Sequence, residues 1–449
     1  MSSPKFRVAI VGGGVGGVTL AVALSKYPDI AVDVYERASQ FAEVGAGVGL
    51  WPRPFKVLKK LGLGDALLKK TPVPYIEDEY VTAMNFRRSD LEEGEYLYTM
   101  KSKGNMIQVH RADFLSVLVD NISPSVKTHM SKRIVSYTQP SSGNPSEPIT
   151  LTFYDGSTAT CDILVGADGV KSAIRRGMMQ DLSRDPAALE KCSAEEYLAC
   201  IEPVFSGTVS YRTLIQADKI RAVDPNHRAL DGVWCPLQCL GENRSVGTYP
   251  ISMGKTVNFS SMALDKELMA NAFNPDPSHR QTFDGEWVRH ASAKEFTEVF
   301  RGMEKDVQTL LDCIEEGNIW AVNLVRHLPV QVHGRVALLG DAAHSMTPYQ
   351  GSGAGQAVED AYVLATLLGH PGTTLATVPR ALAVYDEVRR PFAIGIADAS
   401  QEVGRISGLQ MDLPSSEIGP KIAEITSWAW ETEIDGMLED AKRMLEERV

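Results

Sequence analysis

Five of the six residues between positions 12 and 17 are glycine, and this cluster constrains the fold of the 449-residue chain more than any other feature. A short run that is apolar except for Arg7, Phe6–Val11, precedes it, and a stretch with helical character follows at residues 18–26. A second apolar run at residues 31–35 ends at Glu36. Because glycine disfavours a continuous helix and favours turns, the pattern predicts a strand, a tight turn, a helix and a second strand.

The glycines follow the spacing G-x-G-x-x-G, which is typical of dinucleotide-binding βαβ units. The first permits the tight turn, the second lets the backbone approach a pyrophosphate, and the third allows close helix–strand packing. The phosphate then faces the free N–H groups at the helix start. An acid 24 residues after the first glycine suits a ribose hydroxyl, which favours FAD or NAD over NADP. The expected cofactor contacts here are Gly12, Gly14, Val15, Gly17, Glu36 and Arg37.

The amino terminus also has the outline of a signal peptide or membrane anchor, since Lys5 and Arg7 precede an uncharged stretch at residues 8–25. The glycine cluster lies inside that stretch and argues against one apolar helix. No other segment approaches the ~18 apolar residues that suggest a membrane span. We therefore expect a cytoplasmic protein without a membrane partner.

Charge and cysteine content narrow the possible partners. The chain has 45 Lys and Arg against 57 Asp and Glu, a formal net charge of −12, and it lacks the clustered basic residues that nucleic acids require. Six cysteines are too few for a disulfide scaffold of this length. Cys235 and Cys239 have no second Cys or His pair nearby at zinc-ligand spacing, so free thiols are expected and no metal site.

Two further motifs follow apolar strands later in the chain. Residues 163–165 lead into Asp168-Gly169, and residues 335–339 lead into Gly340-Asp341. Other patterns predict helices at residues 55–68, from about 357, and at 375–409, the last ended or kinked at Pro391. Strands are predicted around residues 80–100 and at 128–138, 149–154, 158–162, 209–214, 246–251 and 256–263.

Together the motifs resemble the single-component FAD-dependent aromatic hydroxylases, the group that contains para-hydroxybenzoate and salicylate hydroxylases. The resemblance covers most of residues 1–395. Residues 43–49 and Tyr211-Arg212 look closest to the salicylate hydroxylase branch, particularly its fungal members. The motifs that carry the resemblance are the glycine cluster with Glu36, residues 109–113 around Arg111, Asp168-Gly169, and the run from Gly340 to His344 that continues to Pro348 and residues 351–355.

The resemblance implies an α/β fold, in which a Rossmann-like FAD-binding domain carries an inserted α+β substrate domain and a C-terminal helical segment. The helical segment is expected to pack on the body or on a partner, and the protein to be a monomer or homodimer. The expected boundaries are 1–75, 101–177 and 300–395 for the FAD-binding domain, 76–100 and 178–299 for the substrate domain, and 396–449 for the helical segment.

The resemblance also implies roles for individual residues. Arg111 would hold the phosphate or ribityl region of FAD; alternatively, it is a solvated charge on the helix surface. Asp341 would accept a hydrogen bond from a ribityl or ribose hydroxyl; alternatively, it caps the helix that follows it. Ala354 would lie beside the pyrimidine edge of the flavin and Pro348 beside its reacting face. Asp168 would contact both the FAD side and the nicotinamide side of the fold; the alternative is an ordinary Asp-Gly turn after a strand. Further expected FAD contacts are Gly49, Gly340 and Gly353.

On the substrate side, Arg212 and Tyr249 match family positions near the substrate and the flavin. Arg212 would bind a carboxylate or phenolate, or else it is an arginine on the surface of a strand. Tyr249 would donate a hydrogen bond, or else it is a tyrosine of the core. Salicylate-type members often carry a histidine a few residues before the Tyr-Pro step. In this chain the sequence Arg-Ser-Val-Gly occupies that stretch, at residues 244–247, so the histidine is absent. Its absence does not favour salicylate itself as the substrate. His344 is expected to have a structural role.

The implied activity is hydroxylation of a phenol, hydroxybenzoate or aminobenzoate through a flavin hydroperoxide, with decarboxylation when attack falls on a carboxyl-bearing carbon. O₂ and NADH or NADPH, as a transient reductant, are the implied co-substrates. No second glycine fingerprint marks a nicotinamide site. Three alternatives stay open: a fungal tailoring oxygenase, an FAD-dependent dehydrogenase or reductase without oxygen insertion, and a non-catalytic flavin-binding protein.

Overall fold

The computed structural model describes residues 3–41, 47–71, 74–140, 146–230, 236–274, 276 and 281–448. No helix within these ranges is both long and apolar enough to cross a membrane. The strands are β1 (Phe6–Val11), β2 (Ile30–Tyr35), β3 (Gly47–Leu50), β4 (Tyr80–Arg88), β5 (Glu95–Lys103), β6 (Ile107–His110), β7 (Lys127–His129), β8 (Ile134–Thr138), β9 (Ile149–Phe153), β10 (Thr158–Cys161), β11 (Ile163–Gly166), β12 (Val204–Gln216), β13 (Leu237–Gly241), β14 (Arg244–Ile251), β15 (Thr256–Leu264), β16 (Val288–Ser292), β17 (Glu316–Leu324), β18 (Val332–His333) and β19 (Val336–Leu338).

The helices, in chain order, are α1 (Val15–Leu24), α2 (Pro52–Leu61), α3 (Gly64–Leu68), α4 (Arg111–Asp120), α5 (Ala173–Leu182), α6 (Pro186–Leu189), α7 (Ala194–Ala199), α8 (Ala217–Val223), α9 (Lys266–Asn271), α10 (Ala293–Phe300), α11 (Lys305–Asp312), α12 (Asp341–His344), α13 (Gly353–Gly369), α14 (Val378–Ser407), α15 (Ser415–Thr426), α16 (Trp428–Glu431) and α17 (Ile434–Glu446). Short 3-10 helices occupy Arg228–Leu230 and Ser252–Gly254.

A six-stranded sheet with the order β18-β19-β11-β1-β2-β7 forms the first body. Its five strands from β19 to β7 are parallel, and β18 is an antiparallel edge. On β1, Val8 and Ile10 pack toward helices that include α1 and α13, whereas Ala9 and Val11 pack toward α5 and the small sheet β10-β9-β8. Because both faces are covered, every position of a parallel strand can be apolar. The expected α/β, Rossmann-like fold is confirmed.

The turn between β1 and α1 requires glycine at two positions. Gly12 has a φ of +113°, and a Cβ there would overlap the carbonyl oxygen of Ala167 at the end of β11. A Cβ on Gly17 would overlap the carbonyl oxygen of Gly12. The start of α1 therefore packs directly on its own turn and on the neighbouring strand, as the spacing of the glycines predicts.

An eight-stranded sheet with the order β16-β17-β12-β15-β14-β13-β4-β5 forms the second body. It is antiparallel except between β13 and β4. One face is covered by α10 and α11, where Phe259, Phe296 and Phe300 are buried.

The full domain boundaries stay a prediction, but the position of β17 departs from them. β17 pairs with β12 and β16 in the eight-stranded sheet, whereas residues 300–395 are expected to belong to the FAD-binding domain. The alternation of apolar residues in a strand does not specify which sheet the strand joins.

Three other elements differ from the sequence prediction. The helix predicted at residues 55–68 is divided into α2 and α3, because Gly62 ends α2 in a left-handed conformation with φ +89°. The strand predicted at residues 128–138 is divided into β7 and β8, and β7 pairs with β2. The predicted end of the helix at Pro391 is wrong, since α14 runs through it, while a kink there stays a prediction. Buried side chains on both sides of the proline outweigh its cost of ~3 kcal/mol in a helix interior.

A cluster of buried charges joins α2, α13 and α14. The guanidinium of Arg389 has no solvent exposure; its Nε donates to Oδ1 of Asp360 at 2.8 Å and its Nη1 to Oε2 of Glu359 at 2.9 Å. On the other side of Glu359, Nε of Arg53 donates to Oε1 at 3.0 Å. Each of these charges has an opposite partner, which is the condition for keeping charges in a protein interior.

We predict that Arg389→Met strongly destabilises the fold. The substitution leaves Glu359 and Asp360 without their shared cation, and breaking a buried pair in this way costs ~3–5 kcal/mol. Urea unfolding followed by circular dichroism measures the effect. The matched control is Arg443→Met, which removes an exposed arginine from its pair with Asp440 and should leave the midpoint nearly unchanged. Equal midpoints for the two variants would contradict the role of the cluster.

Candidate cofactor and substrate site

Three of the sequence motifs meet at one edge of the six-stranded sheet. β1, β11 and β19 are parallel neighbours, so their carboxyl ends lie side by side. These ends lead into Gly12, Asp168 and Gly340, respectively. Ligands of open α/β sheets bind outside the carboxyl ends of the strands. The structure thus brings together motifs that lie more than a hundred residues apart in the chain.

Two helices start next to each other at this edge. Near their starts, a Cβ on Gly16 of α1 would lie 3.2 Å from Cβ of Ala357 on α13, and near their ends Gly369 packs on the ring of Tyr27. The helices therefore run side by side in the same direction. Neither start has a side-chain cap. Two sets of free N–H groups and two positive helix ends are therefore close together, which favours an anionic ligand.

The carboxylate of Glu36, directly after β2, points into the glycine turn. Its Oε2 accepts a hydrogen bond from the N–H of Gly13 at 2.6 Å, and its Oε1 accepts one from the N–H of Ala38 at 2.8 Å. Glu36 is thereby held beside the start of α1, where Val15 is buried. Arg37 is exposed next to it.

The Gly340-Asp341 turn is held by the buried charge cluster. Gly340 has a φ of +57° and donates its N–H to Oδ2 of Asp360 at 2.9 Å; the same oxygen lies 2.6 Å from Nε2 of His344. Burial raises the pKa of Asp360, but the charges of His344 and Arg389 outweigh it and hold the pKa below its ordinary value. Asp341 is itself exposed at the start of α12. Its carboxylate therefore faces outward from a fixed turn.

Arg111 approaches Asp341 from the strand pair β3–β6. It follows β6 directly, and β6 pairs with β3. Burial lowers the pKa of the Arg111 guanidinium and the charge of Asp341 raises it, so the two groups act on each other. A Cβ on Gly49 of β3 would overlap the sulfur of Met106, so a side chain at this position would require Met106 to move.

The glycine-rich segment before α13 presents an open backbone surface. The N–H of Gly351 donates to the carbonyl oxygen of Pro348 at 3.0 Å, and Gly351 has a φ of +62°. A Cβ on Gly351 or Gly353 would meet no atom within 4 Å. Ala354 is half-buried in the first turn of α13. Open backbone next to a positive helix end fits a flat ring that carries negative charge.

The carboxylate of Asp168 accepts hydrogen bonds from the start of the helix that follows it, α5. Its Oδ1 accepts a hydrogen bond from Oγ of Ser172 at 2.5 Å, and its Oδ2 accepts bonds from the N–H groups of Ala173 at 2.7 Å and Ile174 at 3.2 Å. Both oxygens therefore stabilise the start of α5, which supports the structural alternative. A direct contact of Asp168 with a cofactor stays a prediction.

Arg212 lies on the face of the eight-stranded sheet opposite α10 and α11. Its Nε donates to Oγ of Ser210 at 2.9 Å, and its guanidinium lies over the ring of Trp320, 5.7 Å from the centroid. Burial lowers the pKa of Arg212, the phenol of Tyr249 raises it, and the positive charge of Arg111 lowers it. Arg212 is thus within electrostatic range of both residues, although they belong to different parts of the chain.

Tyr249 is a neutral hydrogen-bond donor at physiological pH. Burial raises its pKa to about 12, against the opposing effect of Arg212. A Cβ on Gly47 would lie 2.7 Å from the Tyr249 hydroxyl, so β3 packs directly on this side chain. The strand pair that leads to Arg111 therefore also contacts the substrate sheet. It brings Arg111, Asp341, Arg212 and Tyr249 into one region.

A cavity of about 390 Å³ opens beside Arg212. Its walls are formed by β12 and β17 and include Leu214, Asn318 and Trp320. Two ion pairs lie at its border, Lys219–Glu315 and His290–Glu316. Arg212 contributes to its lining, whereas Tyr249 and Arg111 do not.

Sequence reasoning missed several residues of this region. Arg244 lies in the stretch before the Tyr-Pro step, and its Nη1 donates to the carbonyl oxygens of Val299 and Arg301, both at 2.9 Å. The buried charge cluster was also missed, although adjacent acids at 359–360 within an apolar helix were a signal, since buried acids need partners. Residues 43–46 and Cys235 lie outside the described residues.

Comparison with known proteins agrees with this geometry. The family of the FAD binding domain matches residues 5–190 and 284–400. The chain is 34% identical to salicylate hydroxylase of Pseudomonas putida over 98% of this chain and 94% of that protein. It is also 34% identical to the FAD-dependent monooxygenase str9 of Strobilurus tenacellus, over 99% of both. A solved structure of a salicylate hydroxylase substrate complex has a TM-score of 0.80, 30% identity and 98% coverage of both chains. The chain therefore belongs to the FAD-dependent aromatic hydroxylases, the group A flavoprotein monooxygenases.

Proposed function

We propose that this protein hydroxylates a small aromatic ring that carries a carboxylate or phenolate, using FAD, O₂ and NADH or NADPH. One observation carries the proposal. The strand pair β3–β6 packs through Gly47 on the hydroxyl of Tyr249 in the substrate sheet, and it leads directly into Arg111. The charge of Arg111 acts on the pKa of Arg212 in that sheet, and the charge of Asp341 at the cofactor edge acts on the pKa of Arg111. An anionic ring bound by Arg212 would then lie beside the cofactor, in the proximity that hydroxylation requires.

The residues at the sheet edge fit FAD. The start of α1 would hold the pyrophosphate, Glu36 a ribose hydroxyl, and Asp341 with Arg111 the ribityl and phosphate region. The open backbone at residues 351–353 would support the ring system, next to Pro348, and the start of α13 would stabilise negative charge on it. When bound, FAD supplies the electron transfer and the reaction with O₂.

Arg212 and Tyr249 would bind and orient the substrate. The net charge of −12 disfavours the approach of an anion, so a local cation is needed to hold one. Arg212 can supply it, with donors suited to a carboxylate. Because its pKa is about 12, Tyr249 stays protonated at neutral pH and can donate to a substrate oxygen. Both residues would thereby fix the ring position that faces the cofactor.

A tailoring oxygenase acting on a larger phenolic scaffold is a second candidate, and the cavity beside Arg212 favours it. Its volume of about 390 Å³ lies within the ~300–1,000 Å³ typical of pockets for drug-sized ligands. A benzoate bound at Arg212 would leave part of this space to water. A substrate with a substituent that runs along β12 and β17 would use it.

The proposal is tested by NADH and NADPH oxidation with benzoates, anilines, phenols and larger phenolic scaffolds, combined with mass analysis of the products. We expect stimulated oxidation with one O₂ and one reduced nicotinamide consumed per hydroxylated product. A dehydrogenase would form no oxygenated product, and a non-catalytic flavoprotein would show no stimulation by any compound. Either result would overturn the proposal.

We predict that Asp341→Ala loses flavin during purification. It removes a charged acceptor for a cofactor hydroxyl, and a hydrogen bond to a charged group contributes ~1.5–3 kcal/mol, so FAD should bind roughly 10- to 100-fold more weakly. Absorbance at the flavin bands and titration of the apoprotein measure the change. Asp218→Ala, which removes an exposed acid paired with Arg221, is the control. Wild-type affinity in the Asp341 variant would count against this site.

We predict that Arg212→Ala raises the KM for an anionic substrate and uncouples nicotinamide oxidation from hydroxylation. Loss of a buried cation from an anion pair costs ~2–5 kcal/mol, which corresponds to roughly 30-fold or more in kcat/KM. Arg212→Lys should be intermediate because it keeps the charge without the planar fork. Steady-state kinetics with product quantification measures both effects. Arg221→Ala on α8 is the control, and unchanged KM and coupling in the Arg212 variants would reject the assignment.

A further inference from the structure

The turn that precedes α13 contains a buried glutamine, Gln350, which is 3% exposed. It lies between Pro348 and Gly351, whose backbone hydrogen bond of 3.0 Å closes the turn. The side chain of Gln350 cannot be solvated in this position, so its contacts with other elements determine how the turn is held.

Two indole groups donate hydrogen bonds to Gln350 from opposite parts of the chain. Nε1 of Trp51, at the start of α2, donates to the backbone carbonyl oxygen of Gln350 at 2.7 Å. Nε1 of Trp428, at the start of α16, donates to the side-chain Oε1 at 2.9 Å. An indole N–H is a donor only, so the Trp428 contact requires the amide oxygen of Gln350 to face α16. Main chain and side chain of this residue are thereby both oriented.

Residues 428–433, which we call the C-terminal clamp, are fixed to the body at a second place. Nη1 of Arg53 donates to Oγ1 of Thr432 at 2.7 Å and to the carbonyl oxygen of Glu433 at 3.0 Å. The same arginine pairs with Glu359 of the buried charge cluster. The rings of Trp51 and Trp430 also pack together, 5.2 Å between centroids. The clamp is therefore connected to both the Gly340 turn and the Gln350 turn.

We propose that the C-terminal clamp is a positioning element of the cofactor site, and that Trp428 acts through Gln350 on the turn at residues 348–351. The inference rests on the proposed function, because that turn is the one assigned to the reacting face of the flavin. Trp428 does not touch the cofactor. It fixes the backbone against which the ring system lies, and its effect is on affinity and alignment.

The test compares Trp428→Phe with the matched control Trp287→Phe. The first keeps an aromatic ring but removes the N–H that bonds Gln350. The second makes the same substitution outside the clamp, at a tryptophan whose ring lies against Lys171. A single hydrogen bond contributes ~0.5–1.5 kcal/mol, so Trp428→Phe should weaken FAD binding by about two- to twelvefold. It should also change the visible circular dichroism of bound FAD and increase hydrogen peroxide released per nicotinamide oxidised. Trp287→Phe should leave the dichroism and the peroxide yield unchanged.

Gln350→Met probes the same contact from its other side and keeps the test valid if Trp428→Phe fails to fold. If the two residues act through one hydrogen bond, the double variant should bind FAD no more weakly than Gln350→Met alone. Additive losses, or equal effects of Trp428→Phe and Trp287→Phe on the flavin dichroism, would overturn the proposal. Failure of the wild-type protein to bind FAD would instead refute the proposed function.

Discussion

The guanidinium of Arg389, shielded from water between α13 and α14, holds together the elements on which the cofactor site depends. Through Glu359 it is linked to Arg53 and thus to α2, and through Asp360 to the N–H of Gly340. Each link is strong because the surrounding dielectric is low, and each would be costly to break because an unpaired charge would stay buried. The turn that carries Asp341 is therefore fixed by the interior of the protein, and its carboxylate stays outside.

The same protein concentrates positive potential at one place although its net charge is −12. The starts of α1 and α13 contribute partial positive charges, and Arg111 and Arg212 contribute full ones, in a region where burial already acts on both guanidinium groups. Anions are favoured here and disfavoured over the remaining acidic surface. The pyrophosphate of FAD and an anionic substrate both require such a positive region in order to bind. One electrostatic arrangement can therefore select the cofactor and orient the ring beside it.

The parts of the fold and site that could be predicted from the sequence are those with local causes. The glycine turn and Gly340-Asp341 were predictable because backbone conformation and strand ends depend on adjacent residues. Contacts between distant residues were not: Arg389 pairs with an acid 30 residues away, and Trp428 bonds Gln350 78 residues away. Local rules also failed where packing opposed them. Pro391 does not end α14, because the buried side of that helix continues past it.

In the arrangement that we propose, the cofactor lies between the adjoining starts of α1 and α13 and the side chains of Arg212 and Tyr249. A crystal structure of the purified protein with FAD and a hydroxybenzoate would test it most directly. We expect the pyrophosphate at the N–H groups that start α1, the flavin ring against residues 351–354, and the substrate carboxylate or phenolate on Arg212. Flavin bound at another edge of the sheet, or substrate bound away from Arg212, would contradict it.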